Sequence, residues 1–256
     1  MDGPLIVLDG VGKRYGAHQA LSDVALEVGA GEFVALVGGS GSGKTTLLKI
    51  INGLVRPDAG TVRIAGVGDE APHLMRRRIG YVFQEVGLFP HMTVGGNIGV
   101  TPRLLGWTAG EIAVRLDELM DLVALPRALA QRAPAALSGG QRQRVGVARA
   151  LAAAPSLMLM DEPFGALDPL TRDALGSDYR ALHDRLGLTT VMVTHDMAEA
   201  VLLADRVVVL KAGRIMADGS PAALLAGATD PEVRALLEAP KRQAERLRAR
   251  FGEAPR

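Results

Sequence analysis

The stretch Phe33-Val-Ala-Leu-Val-Gly-Gly-Ser-Gly-Ser-Gly-Lys-Thr45 decides the fold. Its first five residues are apolar, which is typical of a strand buried on both faces, and a helical pattern begins at Lys44. The segment matches the spacing G-x-x-x-x-G-K-[ST] in a strand–loop–helix context. Because glycines let successive backbone N–H groups face inward, and because the helix directs its positive end to the same point, the loop predicts a phosphate site.

Single residues of this loop have distinct predicted roles. Lys44 supplies a point charge for the β- and γ-phosphates of a nucleotide, and the Thr45 hydroxyl is a ligand for Mg²⁺. The alternative is a flexible glycine-rich loop, which the agreement of motif and context disfavours. We expect phosphate contacts along the whole loop and first helical turn: Gly38, Gly39, Ser40, Gly41, Ser42, Gly43, Lys44, Thr45 and Thr46.

Short strand patterns alternate with helical ones along the rest of the chain. The predicted strands are Leu5–Leu8, Ala20–Val28, Phe33–Val37, Thr61–Ala65, Ile79–Phe83, Leu157–Met160, Thr189–Thr194 and Arg206–Leu210. The predicted helices are Lys44–Gly53, Ala109–Leu122, Gly139–Ala153, Leu170–Leu186 and Met197–Ala204. The alternation predicts an α/β fold with a mostly parallel core sheet. The strand-rich start predicts an N-terminal antiparallel β subdomain, and the region of about 86–150 predicts a helical subdomain.

Composition and charge exclude several classes of protein. Lys and Arg number 29 and Asp and Glu 28, which gives no reason to expect a nucleic-acid partner. The absence of cysteine excludes disulfides and thiolate metal sites. No apolar run reaches the roughly 20 residues that span a bilayer, and Met1–Leu8 carries no signal-peptide core. We therefore expect a chain that is soluble by itself and reaches a membrane only through a partner.

Two adjacent acids follow the apolar strand Leu157–Met160. A phosphate-binding loop that supports hydrolysis also requires a carboxylate for Mg²⁺, and Asp161 is predicted to supply it. Glu162 is predicted to polarise the attacking water. The alternative is that both acids simply begin a loop.

The segment Leu137-Ser-Gly-Gly-Gln-Arg-Gln-Arg-Val145 separates this chain from kinases, GTPases and helicases. Ser138 caps a helix that two glycines open, and bare N–H groups at a helix start form a second anion site. The segment resembles the signature motif of ATP-binding-cassette proteins. The resemblance implies a P-loop NTPase fold of that type over residues 1–226, with a short C-terminal helical extension at 227–256. It also implies a head-to-tail dimer with a second copy, in which ATP held by one subunit contacts the other subunit's Ser138, Gly139, Gly140 and Gln141.

The same resemblance assigns further residues. Tyr15 stands where the family stacks an aromatic ring on adenine, although a Tyr that packs a turn is the alternative. Gln84 matches a glutamine that senses the γ-phosphate and Mg²⁺, and His195 matches a switch histidine at the γ-phosphate. Asp168 matches a loop that signals across the dimer, and it also suits a helix N-cap before Pro169; both roles are compatible. Catalysis is thereby assigned to Glu162, His195 and Lys44, and metal binding to Thr45, Gln84 and Asp161.

The stretch before the signature, Ala130–Ala136, lacks the motif usual in exporters of the family, which favours an importer. Residues 79–93, 101–107 and 160–172 look like ATPases of glycine betaine, choline and carnitine importers. This implies integral-membrane permease subunits as partners, an indirect link to a substrate-binding protein, and a peripheral position at the cytoplasmic face of the cell membrane. The apolar segment Val86–Met92 predicts a groove wall for the permease, or plain packing. Regulatory CBS modules are common in those relatives, and we expect none after Ala226.

Alternatives from other classes remain at this point. An importer of another small solute, such as an amino acid, would share these motifs. A soluble cassette protein of DNA repair or translation would usually carry a long coiled-coil insertion or two cassettes. A small-molecule kinase would lack the signature, and a non-hydrolysing regulatory subunit would need a damaged Glu162 or signature.

Overall fold

The computed structural model describes residues 3–65, 72–228 and 230–251. Within them the strands are β1 (Ile6–Tyr15), β2 (His18–Val28), β3 (Phe33–Val37), β4 (Ala59–Ile64), β5 (Ile79–Val82), β6 (Leu157–Asp161), β7 (Thr189–Val193), β8 (Arg206–Lys211) and β9 (Arg214–Gly219). The α-helices are α1 (Lys44–Ile51), α2 (Pro72–Met75), α3 (Val94–Ile98), α4 (Val100–Leu104), α5 (Ala109–Leu122), α6 (Gly139–Leu151), α7 (Pro169–Leu186), α8 (Met197–Leu203), α9 (Pro221–Gly227) and α10 (Pro231–Phe251). The last five residues of the predicted C-terminal extension lie outside the described ranges.

The N-terminal strands form a small antiparallel sheet in the order β2-β1-β4, as predicted. Apolar residues alternate along β1 and β2, so one face of this sheet packs on the apolar cluster that also contains Leu47 and Leu48 of α1. β1 is longer than predicted and extends to Tyr15, because the strand continues through several irregularities after Leu8.

The core is a six-stranded sheet in the order β5-β6-β7-β3-β8-β9. β5, β6, β7, β3 and β8 are parallel, and β9 adds an antiparallel edge. Every residue of β3, β6 and β7 is buried, because helices cover both faces of the sheet. The carboxyl ends of the parallel strands meet at one edge, which is where ligands bind in such sheets.

Helices fill the chain between β5 and β6, as predicted. α6 packs against both β5 and α3, so this region sits directly on the core sheet. Gly95 and Gly96 are poor helix formers, yet they lie in the regular turn α3, with the Thr93 hydroxyl as its N-cap acceptor. The reason is packing: a Cβ at Gly95 would lie 2.9 Å from the Leu116 side chain, so glycine permits the close approach of α5.

The C-terminal helix α10 is partly buried before Pro240 and exposed after it. Val233 and Leu237 are buried in the main core cluster, and this part of α10 packs against α8. The described side chains after Pro240 are all exposed. Among the described residues, no helix is both long and apolar enough to cross a bilayer.

Candidate functional site

The phosphate-binding loop joins β3 to α1 at the carboxyl edge of the core sheet. Lys44 begins α1 and its side chain folds back over the loop. Its Nζ donates to the carbonyl oxygens of Gly38 and Gly39 at 2.8 and 2.9 Å and lies 3.3 Å from Ser42 Oγ. The ammonium group is therefore fixed inside the loop, at the point where phosphates would bind.

Two glycines of the loop are required by close packing. Gly38 has φ +150°, and a Cβ there would lie 2.1 Å from the carbonyl oxygen of Leu210 in β8. Gly43 has φ +103°, and a Cβ there would lie 2.5 Å from the carbonyl oxygen of Ala20 in β2. The backbone on both sides leaves no space for a side chain, so the loop is held tightly between β2 and β8.

Burial and nearby carboxylates act on Lys44 in opposite directions. Only 8% of Lys44 is exposed, and this burial lowers the pKa of its ammonium group. Glu162 and Asp161 favour the charged form and oppose that shift. A buried cation facing two acids is the charge arrangement that polyphosphate and a metal ion would complete.

Thr45 and Asp161 form a pair of hard oxygen donors. Thr45 Oγ1 lies 3.1 Å from Asp161 Oδ1, and Asp161 is 8% exposed. Burial raises the pKa of Asp161, while the Thr45 hydroxyl, Lys49 and Lys44 oppose the shift. A desolvated carboxylate beside a hydroxyl fits Mg²⁺, which prefers oxygen ligands and takes the rest from water and phosphates. The described residues contain no group of three or more His, Cys, Asp or Glu side chains that could hold a metal alone.

Glu162 lies where the carboxyl ends of β5, β6 and β7 come close together. It follows β6, and its Oε2 accepts a hydrogen bond from Gln84 Nε2 at 3.1 Å, beyond β5. The same oxygen lies 3.2 Å from His195 Nδ1, beyond β7. Glu162 has φ +45°, an unusual conformation for a non-glycine residue, and its backbone N–H is fixed by the carbonyl oxygen of Val193. The structure thus brings together Gln84, Glu162 and His195, which are far apart in the sequence.

The second predicted anion site is a capped helix start. Ser138 Oγ accepts from the Gln141 backbone N–H, and the Gln141 side chain accepts from the Ser138 N–H, which makes a capping box at the start of α6. The glycines between them face the segment after β6: a Cβ at Gly139 would lie 3.5 Å from the Leu167 side chain, and a Cβ at Gly140 would lie 2.7 Å from the Thr171 side chain at the start of α7. Among the described residues, the side chains of Ser138 and Gln141 make no hydrogen bond to the phosphate-binding loop.

Asp168 is the helix N-cap that the sequence predicted, and its part in signalling across a dimer stays a prediction. Its Oδ1 accepts from the Thr171 backbone N–H at 3.0 Å, so it is the N-cap of α7, and Pro169 occupies the first helical position. This hydrogen bonding lowers the pKa of Asp168. Since a Cβ at Gly139 would lie 3.5 Å from Leu167, the loop that ends at Asp168 packs beside the start of α6.

Tyr15 ends β1 with an exposed ring, 5.5 Å from Lys13 Nζ. His18, at the start of β2, lies with Gly38–Ser42 along one cleft of about 490 Å³. The Tyr15 ring is therefore available at the surface, close to the turn that joins β1 to β2. Its role toward adenine stays a prediction.

Sequence reasoning missed the β8–β9 turn as part of the site. Gly213 accepts a hydrogen bond from Ser22 and donates one to the carbonyl oxygen of Ser42, so the turn joins β2 to the phosphate-binding loop. Gly213 has φ +75°, and Ala212 before it also has a positive φ. The available signal was the Ala-Gly pair shortly after the predicted strand Arg206–Leu210, which is compatible with a two-residue hairpin turn.

Comparison with known proteins identifies the class. Residues 21–165 match the family model described as ABC transporter. That match covers more than half of the chain, and the core sheet with its phosphate-binding loop agrees with it. The chain belongs to the ABC transporter family.

Relatives in this family include proteins of osmoprotectant uptake. The chain is 49% identical to the choline transport ATP-binding protein OpuBA of Bacillus subtilis over 88% of its length and 60% of the relative's. It is 48% identical to the glycine betaine uptake system ATP-binding protein YehX of Escherichia coli, over 86% of this chain and 72% of YehX. The chain thus spans about three fifths of OpuBA, the first of these relatives.

Solved structures show the same fold. The ATP-binding cassette MJ0796, a dimer in a post-hydrolysis state with ADP and Pi, superposes with a TM-score of 0.75 and 35% identity, covering 84% of this chain and 98% of that one. CbiO1 of Clostridium perfringens, part of the ABC transporter complex cbiONQ, gives a TM-score of 0.82 at 26% identity, covering 97% of this chain and 100% of that one. The P-loop NTPase fold of the ATP-binding-cassette type, expected from the signature motif, is confirmed.

Proposed function

We propose that this chain hydrolyses ATP as one half of a two-subunit motor that drives an importer. The observation that carries the proposal is the position of Glu162, whose Oε2 lies within hydrogen-bond distance of both Gln84 and His195. Lys44 and the Thr45–Asp161 pair lie at the same edge of the sheet. Hydrolysis of a nucleoside triphosphate requires a phosphate site, a metal-binding pair and a base.

Each residue has a definite part in the mechanism. Lys44 and the backbone N–H groups of Gly38–Thr45 hold the phosphates and compensate their charge. Thr45, Asp161 and Gln84 would hold Mg²⁺, which neutralises charge on the β- and γ-phosphates when bound. Glu162 orients the attacking water and accepts its proton.

His195 holds the Glu162 carboxylate in place and, with Gln84, contacts the γ-phosphate. This arrangement gives the γ-phosphate different contacts before and after hydrolysis, so the closed state is favoured only while it is present.

Two copies of the chain would complete two sites. At the helix start Ser138–Gln141, the N–H groups of Ser138 and Gln141 are paired within the capping box, and those of Gly139 and Gly140, in the first helical turn, have no intrahelical acceptor. Among the described residues, neither side chain of the capping box is hydrogen-bonded to the chain's own phosphate-binding loop. Such a helix start is suited to the γ-phosphate held by a second copy. The dimeric state of the similar cassette MJ0796 supports this arrangement.

The permease would dock beside Gln84. A groove of about 480 Å³ lies there, with the exposed aromatic rings of Phe83 and Phe89 on its wall and Arg76 and Arg77 nearby. Phe89 belongs to the apolar segment Val86–Met92, for which the sequence predicted a groove wall for the permease or plain packing. Because Gln84 precedes that segment directly, nucleotide state and permease contact would move together. The bound chain would lie peripherally at the cytoplasmic face of the membrane.

The solute we propose is a quaternary amine such as glycine betaine, choline or carnitine. The support is the names of the relatives OpuBA and YehX at 49% and 48% identity. A second candidate has its own support, because the sulfate/thiosulfate import ATP-binding protein CysA of Synechococcus elongatus is 47% identical. Vesicles with the cognate permease and binding protein, loaded with ATP, would separate the two by uptake of radiolabelled betaine or sulfate.

The substitution Glu162→Gln tests the hydrolysis. Removing a general base should lower kcat by about 10²–10⁴-fold while ATP binding persists, and the dimer should then accumulate with ATP in size-exclusion chromatography. The control Glu27→Gln makes the same change at an exposed glutamate of β2. If Glu162→Gln hydrolyses ATP as fast as the parent and Glu27→Gln, the assignment of the base is wrong.

A further inference from the structure

Arg172 lies in the first turn of α7 and reaches back to the loop that precedes this helix. Its Nη2 donates to the carbonyl oxygens of Gly165 and Leu167 at 3.3 and 3.2 Å. These carbonyls belong to the loop between Glu162 and Asp168. The guanidinium therefore determines the path of the backbone just after the proposed base.

The other side of the same guanidinium faces the segment after β7. Arg172 Nη1 donates to Asp196 Oδ2 at 3.3 Å. Asp196 is the N-cap of α8, because its Oδ1 accepts from the backbone N–H groups of Ala198 and Glu199. Asp196 directly follows His195, so Arg172 also fixes the backbone that carries the switch histidine.

Both connections converge on the carboxylate of Glu162. Gly165 donates its N–H to the Glu162 carbonyl oxygen at 3.2 Å, and a Cβ on Gly165 would lie 3.5 Å from Glu162 Oε2. His195 Nδ1 lies 3.2 Å from the same oxygen. Arg172 thus links the backbone of the loop after the proposed base to the Asp196 side chain, beside the switch histidine.

The chemistry of arginine suits this bridging. Its planar guanidinium directs several N–H donors in fixed directions, so one group contacts two carbonyls and a carboxylate at once. A lysine ammonium keeps the charge beside Asp196 but lacks that planar set of donors. The side chain of Arg172 is 30% exposed, so its contacts are only partly screened by water.

The loop that Arg172 holds also touches the start of α6. Gly139 faces Leu167, and Gly140 faces Thr171, the residue before Arg172. In the proposed dimer, that helix start binds the other subunit's nucleotide. A shift of the loop would therefore reach both the base of one site and the helix start that serves the other.

We infer that Arg172 is a positioning residue: by joining the 165–167 backbone to Asp196, it holds Glu162 and His195 in the geometry that hydrolysis requires. This inference rests on the proposed ATPase function. It assigns Arg172 no contact with nucleotide, so loss of its guanidinium should slow turnover and leave nucleotide binding intact.

Arg172→Met tests the inference, with Arg180→Met as a matched control on the same helix. Arg180 is similarly exposed, at 27%, and it too bonds a carbonyl and carboxylates, those of Leu203, Asp184 and Asp205, none of which belongs to the loop after Glu162 or to the segment of His195 and Asp196. Full-length proteins are compared by steady-state ATPase kinetics, by titration with a fluorescent ATP analogue, and by thermal unfolding. Arg172→Met should lower kcat about tenfold or more, with KM and analogue affinity within about twofold of the parent.

Arg180→Met should lower the Tm by a comparable amount and keep kcat within about twofold of the parent. Arg172→Lys should recover part of the lost kcat, and it also keeps the test valid if the methionine variant folds poorly. Equal kcat for Arg172→Met and Arg180→Met, or a loss confined to KM, would overturn the inference alone. A parent chain that binds nucleotide without hydrolysing it would overturn the proposed function, and this inference with it.

Discussion

Alanine substitutions in the phosphate-binding loop should destabilise the fold most where the glycine is required by close packing, and less where the glycine only permits a positive φ. At Gly38 a Cβ would lie 2.1 Å from the Leu210 carbonyl oxygen, a backbone atom that cannot rotate away. Such overpacking costs about 1–3 kcal/mol, and a side chain at positive φ adds about 1–2 kcal/mol. Gly38→Ala should therefore lower the free energy of unfolding by about 2–5 kcal/mol.

Two neighbouring glycines provide the comparison. Gly41 has φ +75° with open space around a Cβ, so Gly41→Ala should cost only the backbone term, about 1–2 kcal/mol. Gly39 has open space and no positive φ, so Gly39→Ala should be neutral or stabilising by up to about 1 kcal/mol.

The assay is urea unfolding without nucleotide or Mg²⁺, so that ligand contacts do not enter the measured free energy. In a chain of this size each kcal/mol corresponds to about 2–4 °C in Tm, which gives an independent check by calorimetry. If Gly39→Ala destabilises the fold as much as Gly38→Ala, contact with β8 is not the reason for glycine at position 38.

Two further predictions concern stability. Burial, with a smaller contribution from Arg180, lowers the pKa of His183, so the stability present above about pH 6.5 should be lost as the pH falls further. The Tm is measured by thermal unfolding at about pH 7.5 and about pH 5.5. Between these two conditions the Tm of His183→Gln should fall less than that of the parent, whereas the Tm of His91→Gln, a control at an exposed site, should fall as much as the parent's. An equal fall in all three proteins would contradict the role given to His183. Leu237 of α10 is 2% exposed, so Leu237→Ala should cost about 2–5 kcal/mol in urea unfolding. Leu225→Ala, at a residue 43% exposed, should cost about 1 kcal/mol or less, and a similar cost for both would mean that α10 does not dock on the core.

The fold class was accessible from the sequence because its signals are local. The apolar runs that became β3, β6 and β7 are buried throughout, and the loop motif stands between a strand and a helix as its spacing requires. β9 was missed because it is an edge strand in which exposed residues alternate with half-buried ones. Its strand character depends on pairing with β8, which a single-sequence pattern does not reveal.

Only part of the candidate site could be predicted from the sequence. Asp161 and Glu162 could be proposed from the sequence because they follow a buried strand, and Lys44 and Thr45 because of the motif; their catalytic and metal-binding roles stay predictions. Gln84 and His195 were assigned by resemblance, since their approach to Glu162 depends on the order of strands in the sheet.

Arg172 was missed for a different reason. It occupies an ordinary helical position, and only the reach of its side chain to two separate backbone segments distinguishes it. No local pattern encodes such a contact, so the tertiary structure was needed to find it.

The tight turn between β8 and β9 has a practical consequence. Hairpin turns on protein surfaces usually tolerate inserted peptides and fused domains. Here the turn residue Gly213 is hydrogen-bonded to both Ser22 and Ser42, and a Cβ on it would lie 2.7 Å from the Ala20 carbonyl oxygen. Epitope tags and split points for engineered variants therefore belong elsewhere, for example in the connection around Gly106, where a Cβ has open space.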